Sequence, residues 1–475
     1  MFGSKILWIL DKANYINRKG VVMETVNDFS KGSVAKHIMD MAIPMILAQL
    51  VNVLYNIVDR IYISRMPGDA FTALTGVGVS LPIISIVMAF ANLFGMGGAP
   101  LCSIERGRGN IDEAEKIMGN SFAMLAASGI ILTVVGLIIK KPVLYMFGAS
   151  NATYAYADEY ITIYLLGNIF VMISLGMNNF INSQGFGRVA MMTVIMGAVA
   201  NIVLDPIFIF ALDMGVKGAA LATIISQLLS AVWVLKFLTG YTAILRLKKN
   251  SLHLKKERIK RIIGLGTSGF VMQITNSIIQ IASNATLQVY GGDLYVGIMT
   301  VINSVREIFS MPVMGLASGA QPVMGYNYGA GKYDRVKSCI KFTAISAVLY
   351  NTFIWGLIQF FPGFFIKIFN SDAEVLTAGI PMLRLFFACF FTMALQSAGQ
   401  SVFVALGKSK FAIFFSIFRK VVLVLPMVII LPRLWNLGIS GVFLSEPVSE
   451  VVGGFACFGT MLLTVWKSLK EENPA

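Results

Sequence analysis

The chain has 475 residues, of which 56% are hydrophobic and 13% charged, with a mean hydropathy of +0.75 and a formal net charge of +14. Soluble domains carry about a quarter charged residues, so this composition excludes a soluble globular protein and leaves a polytopic membrane protein. The apolar runs continue for about twenty residues without the period of two that a barrel strand needs, so the expected fold is all-α.

In chain order, residues 1–37 read as a cytoplasmic N-terminal tail. Its apolar patch at 6–10 is too short to span and lacks a small-residue cleavage site, so the first 22 residues read as an interfacial or disordered segment, with Met23 an alternative start. Spans follow near 38–63, 76–100, 117–139, 159–180, 189–211 and 218–240, an N-terminal six-helix bundle over 38–240. A basic cytoplasmic linker, 241–261, reads as a solvated or anionic-lipid-binding stretch. A C-terminal six-helix bundle over 262–466 has spans near 262–287, 295–322, 339–361, 379–405, 410–432 and 438–466, and 467–475 form a cytoplasmic tail. That makes twelve helices.

One family of flanks carries nearly all the Lys and Arg: the N-terminal tail and the loops at 101–116, 241–261 and 323–341. The opposite loops hold only Arg65, Lys140, Lys141, Lys217, Lys367 and Arg433, so the positive-inside rule puts both termini and the middle loop in the cytoplasm. The excess charge is therefore topological and faces lipid headgroups, not nucleic acid. The four cysteines, Cys102, Cys339, Cys389 and Cys457, are far apart and indicate neither a disulfide framework nor a zinc site.

Sliding the chain by 222 positions pairs Pro100 with Pro322, Gly107 with Gly329, Gly109 with Gly331 and Asp112 with Asp334. Nearby shifts pair Gln49 and Asn52 with Gln273 and Asn276, Pro206 with Pro426, and Gly215 and Gly218 with Gly438 and Gly441. The second half is thus a copy of the first. Each copy has an even number of spans, so the two are related by a pseudo-two-fold axis along the membrane normal, with a cleft between them.

The repeat fails at two positions. Asp59 aligns with Ser283 and Asp205 with Leu425, so only the first copy has carboxylates at these two places. An Asp near the bilayer centre costs about 2.5 to 3.5 kcal/mol on the insertion scale, which points to ion handling. Helix rise puts Asp59 roughly 30 Å up span one, Asn201 and Asp205 about 18 and 24 Å up span five, and Thr223 about 9 Å below the outer face in span six. All four can meet in the outer half. Asn201 and Asp205, at i and i+4, share a helix face, and Pro206 can free the carbonyl of Ile202 as a further ligand. Two carboxylates, an amide and a hydroxyl suit a hard monovalent cation or a shared proton; Na+ and H+ both remain open, and Na+ is the one metal the set admits.

Arg306 and Glu307 in span eight, Arg384 in span ten, Arg419 and Lys420 in span eleven, and Glu446 and Glu450 in span twelve form either interhelical ion pairs or part of a pathway. The repeat sets Glu446 opposite Thr223. No enzyme signature is present: His37 and His253 sit in charged flanks and the segment at 329–332 lacks P-loop spacing, so energy is expected from an ion gradient and no cofactor is expected. The 26 Met and 34 Phe include some that line a cleft suited to planar lipophilic cations, the rest being lipid-facing or core.

The chain resembles the multidrug and toxic compound extrusion (MATE) transporters, in their bacterial DinF-like branch. The residues that carry the resemblance are Tyr55-Asn56-Ile57-Val58-Asp59, Gly185-Phe186-Gly187-Arg188, Asn201-Ile202-Val203-Leu204-Asp205-Pro206, and Gly319-Ala320-Gln321-Pro322 through Tyr326-Asn327-Tyr328-Gly329-Ala330. The resemblance covers about 30–465 and implies two six-helix bundles opening as a V, with drug export by proton or sodium antiport. It also implies a cation site at Asp59, Asn201, Asp205 and Thr223. Another branch uses carboxylates of spans seven and ten; here span seven has Gln273 and Asn276, and span ten has neither Asp nor Glu.

The combined expectation is a monomeric inner-membrane antiporter that exports amphipathic organic cations by alternating access. Gln49, Asn52, Tyr55, Asn178, Asn179, Gln273 and Asn276 are the candidates for substrate contact from the cleft, with interhelical hydrogen bonding as their alternative role. The competing expectation is a lipid-linked oligosaccharide flippase, whose phosphates call for several Lys or Arg within the N-terminal spans; only Arg60 is found there.

Overall fold

The computed structural model describes residues 28–66, 69–434 and 437–469; the expectations for residues 1–27 lie outside it. Among the described residues there is no strand, and nine helices are long and apolar enough to cross a membrane. Two bent pairs add further spans. The longest helical stretch, Lys256–Gly329, has 74 residues and is two helices merged across Gly292, whose φ of 64° and ψ of −163° only glycine adopts freely. Counted this way, twelve spans are present in two bundles.

In the first bundle these are α1 (Val34–Ser64), α2 (Ala70–Gly107), α3 (Ile111–Met146), α4 (Asn151–Leu166 with Asn168–Ser183), α5 (Gly187–Ala211) and α6 (Gly215–Thr239). In the second they are α7 (256–291), α8 (293–329), α9 (Tyr333–Phe360), α10 (Ala373–Phe386 with Phe390–Ala405), α11 (Ser409–Arg433) and α12 (Ile439–Trp466).

Both bent spans, α4 by 56° and α10 by 40°, expose backbone carbonyls that hydrocarbon cannot satisfy. The preceding helix supplies the donor each time. Thr133 Oγ1 of α3 donates to Leu165 O at 2.7 Å, while Asn351 Nδ2 and Trp355 Nε1 of α9 donate to Phe390 O and Ala388 O at 3.1 and 2.9 Å. At the α4 bend Gly167 lets α6 approach, because a Cβ there would stand 2.2 Å from Ile224 Cγ2.

The bundles touch through small residues, as lipid-embedded helices must when no hydrophobic force drives them together. A Cβ on Gly266 of α7 would fall 1.8 Å from Leu93 O of α2, and one on Gly329 of α8 would fall 2.0 Å from Ile104 O. All these contacts lie toward the end that carries the basic loops. Two ion pairs tie the same end: Arg258 of α7 to Glu113 of α3 through bonds of 2.8 and 2.7 Å, and Arg261 to Glu105 of α2 at 3.1 Å. The Arg258 guanidinium holds the Glu113 carboxyl, in the first turn of α3 before its apolar stretch, below the usual carboxylate range.

The 241–261 linker is docked through its backbone and a few buried residues, while most of its basic side chains stay exposed. Leu245 N donates to Gln184 Oε1 at 2.8 Å and Arg246 N to Glu115 Oε1 at 3.0 Å. The fully buried Asn120 of α3 donates to Ser251 O and His253 O and accepts from Lys255 N. Sequence composition reported the exposed lysines; the anchors are acids and amides on the bundle beneath.

Candidate functional site

α5 ends in a loosened turn. Pro206 lacks an N–H, and the chain widens into a π-turn over Ile207–Ala211 directly after it. Just below, Asn201 and Asp205 are 1% and 0% exposed, and Asn201 Nδ2 donates to Asp205 Oδ1 at 3.2 Å. α1 brings Asp59 to within hydrogen-bonding reach of Asp205. Among the described residues no ion pair within 4.0 Å involves either aspartate, so Arg60 does not neutralise its neighbour.

Three buried acceptor oxygens here have no hydrogen-bond partner: Asp59 Oδ1, Asp205 Oδ2 and Asn201 Oδ1. Leaving one buried polar group unpaired costs about 1–3 kcal/mol and more when it is charged, so the arrangement favours whatever proton or cation fills it. Thr223 of α6 lies beside the phenol of Tyr160 of α4, whose ring lies 6.4 Å from that of Tyr164. The two phenols are 5% and 2% exposed, and Tyr164 Oη is a further unpaired group. Sequence reasoning missed both tyrosines. Their i, i+4 spacing on one face of a span was the available signal.

Directly adjoining the aspartates, inside the first bundle, is a cavity lined by Asn52, Tyr55, Asn178, Asn201, Thr223 and Gln227 among others. Three of the seven substrate-contact candidates, Asn52, Tyr55 and Asn178, thus face the interior of one bundle, not the space between the two. Asn178 Oδ1 is unpaired there, while Asn178 Nδ2 is engaged by Ala190 O at 3.1 Å. Asn179 lines a second cavity between the bundles, with Gln321 and Ser103. Gln49, Gln273 and Asn276 line neither: Gln49 is half-buried, and the α7 pair is exposed. Gln273 and Asn276 of α7 thus lie outside both cavities.

The second bundle buries ions differently. Arg419 Nη2 and Lys420 Nζ each lie 3.2 Å from Glu446 Oε1, and Arg306 also pairs with that oxygen. Glu450 Oε1 receives Arg419 at 3.5 Å and Arg306 at 3.8 Å. Of the ionisable residues left between pairing and pathway, five therefore form one cluster. Glu307 is exposed outside it, and Arg384 Nε donates instead to Gln359 O at 3.1 Å. Among the described residues no group of three or more His, Cys, Asp or Glu is arranged to hold a metal ion, and all four cysteines are free.

A family model, MatE, matches residues 44–207 and 270–430. "Multidrug export protein MepA" of Staphylococcus saprophyticus is 26% identical over 431 residues, covering 90% of this chain and 93% of that protein. The protein of the same name from Staphylococcus aureus is 24% identical over 422 residues, covering 89% and 92%. Among solved structures, one described as an outward-facing conformation of a multidrug resistance MATE family transporter superposes with a TM-score of 0.86 at 22% identity, covering 94% of this chain and 99% of that one. A MOP superfamily transporter from Pyrococcus furiosus, described as having a binding pocket of reverse polarity, superposes with the same TM-score and identity, covering 94% and 98%.

Proposed function

The chain belongs to the MatE family of multi-pass membrane transporters, and from that premise we propose that it exports amphipathic organic cations by exchange against H+ or Na+. The observation that carries this reading is the uncompensated pair Asp59 and Asp205, beside Asn201 and Thr223, which line a cavity in the first bundle. The curated relatives named for multidrug export support the cargo class.

In this mechanism the unpaired oxygens alternate between holding the coupling ion and standing empty. An ion bound there removes the repulsion between two carboxylates and the cost of three idle acceptors, so it stabilises the conformation in which those groups stay buried. Cargo and ion then bias the same two-state equilibrium in opposite directions, which is the requirement for exchange. The glycine contacts and ion pairs at the basic end hold the bundles together there. By the positive-inside rule that end is cytoplasmic, so this conformation is closed inward and opens outward. Asn52, Tyr55 and Asn178 are the substrate contacts this geometry favours, since they share the cavity with Asn201 and Thr223.

No Lys or Arg lines that cavity, which disfavours a phosphate-bearing lipid-linked cargo. The test is ethidium movement in reconstituted vesicles with sodium and proton gradients imposed separately. Efflux that follows one gradient identifies the ion, and movement indifferent to both overturns the antiport reading.

A further inference from the structure

The cluster of the second bundle is not charge-balanced. Three cations, Arg306, Arg419 and Lys420, face two carboxylates, Glu446 and Glu450, and among the described residues no other acid lies within 4.0 Å of any of the three. A buried surplus charge in a membrane span is costly. Arginine keeps its proton under all physiological conditions, whereas a buried lysine ammonium can give its proton up. Lys420 is therefore the member able to bring the cluster to neutrality. Its hydrogen bond is to Glu446 Oε1, an oxygen already shared with both guanidinium groups, while Glu450 Oε2 has no partner.

The position in the repeat points the same way. Pro426 of α11 matches Pro206 of α5, and Glu446 and Glu450 of α12 occupy the places of Thr223 and Gln227 of α6. α11 opens into a π-turn over Phe418–Val424 that contains both Arg419 and Lys420, and such turns concentrate at functional sites. Arg306 of α8 is the most exposed member of the cluster: its side chain is 19% exposed, against 10% for Lys420 and 2–5% for the glutamates.

We propose that Lys420 is a second proton-exchange site, in the C-terminal bundle, working beside the aspartate pair of the N-terminal bundle. An Nζ–H bond of the ammonium breaks and the proton forms an O–H bond on a water entering past Arg306. The electron pair stays on Nζ, and the cluster goes from one surplus charge to none. The groups facing Lys420 are Arg419 on its own helix, Arg306 on α8, and Glu446 and Glu450 on α12; Cys389 at the α10 bend adjoins Glu450, and Cys457 of α12 adjoins Arg419. The consequence for transport rests on the antiport reading; the existence of the site does not.

Two measurements on the full chain decide it. With lysine labelled by 15N at Nζ, magnetic resonance of the detergent-solubilised protein shows a neutral-amine signal, missing from Lys420→Met, that grows in while the exposed lysines still give ammonium signals; only ammonium signals until the exposed lysines themselves titrate overturns the site. In vesicles, Lys420→Arg (always charged) and Lys420→Met (always neutral) both bind ethidium like the parent and both lose gradient-driven efflux. A cation needed only for packing is rescued by Lys420→Arg, so parental efflux in that variant also overturns the proposal. If the parent itself moves no ethidium, the transport reading falls and the resonance measurement alone decides the site.

Discussion

Asp59 and Asp205 meet between α1 and α5 with no basic partner and three oxygens unpaired. On the repeat-mates of α5 and α6 in the other bundle, Arg419, Lys420, Glu446 and Glu450 are joined by Arg306 of α8 into a cluster that nearly cancels itself. One ancestral scaffold thus carries two ways of burying charge. The first leaves its anions waiting for a mobile partner; the second supplies most of the partners covalently. The first arrangement is set up to respond to ions outside the protein, and the second chiefly to hold helices together. Only Lys420 in the second has a proton to release.

The sharpest way to break this contrast is a matched pair of substitutions. Asp205→Asn should reduce gradient-driven ethidium efflux to the background of empty vesicles. Its thermal unfolding midpoint in detergent should stay level or rise, because one of two facing carboxylates is gone. Glu446→Gln should do the reverse to stability, leaving three buried cations against the single carboxylate of Glu450 at a cost of about 3–5 kcal/mol and lowering the midpoint sharply or preventing purification. If the effects on stability come out exchanged, the division of labour between the bundles is wrong.

A smaller effect sharpens the first site. Tyr160→Phe removes the buried phenol beside Thr223, and the loss of one polar contact of about 1 kcal/mol should lower the apparent affinity for the coupling ion roughly fivefold with maximal efflux retained. An unchanged affinity would remove Tyr160 from the site. The smallest effect concerns the join between the bundles. The Glu113 carboxyl is depressed by Arg258, so the pair's contribution is present above the ordinary carboxylate value and is lost as pH falls through the lowered one. Arg258→Ala should therefore lower the stability at pH 7 by about 1 kcal/mol or less, read as a small drop in the thermal unfolding midpoint. The gap should close once the pH has fallen through that lowered value, where the carboxyl is protonated in both proteins. A gap that persists in acid would show packing, not charge, at that join.

Much of this molecule was legible in its residues. Span count, the internal repeat, the i, i+4 face of Asn201 and Asp205 and the failure of the repeat at Asp59 and Asp205 all follow from local apolar length, helical period and self-alignment. Those properties belong to one helix at a time. The partners were decided elsewhere: Tyr160 of α4 reaches Thr223, Asn120 clasps the linker, Gln273 and Asn276 stay exposed, and Arg306 joins α11 and α12 to complete the five-charge cluster. Such meetings depend on how far helices distant in sequence approach and rotate. That is governed by contacts such as Gly266 against Leu93 and Gly167 against Ile224, which no periodicity within a single span encodes.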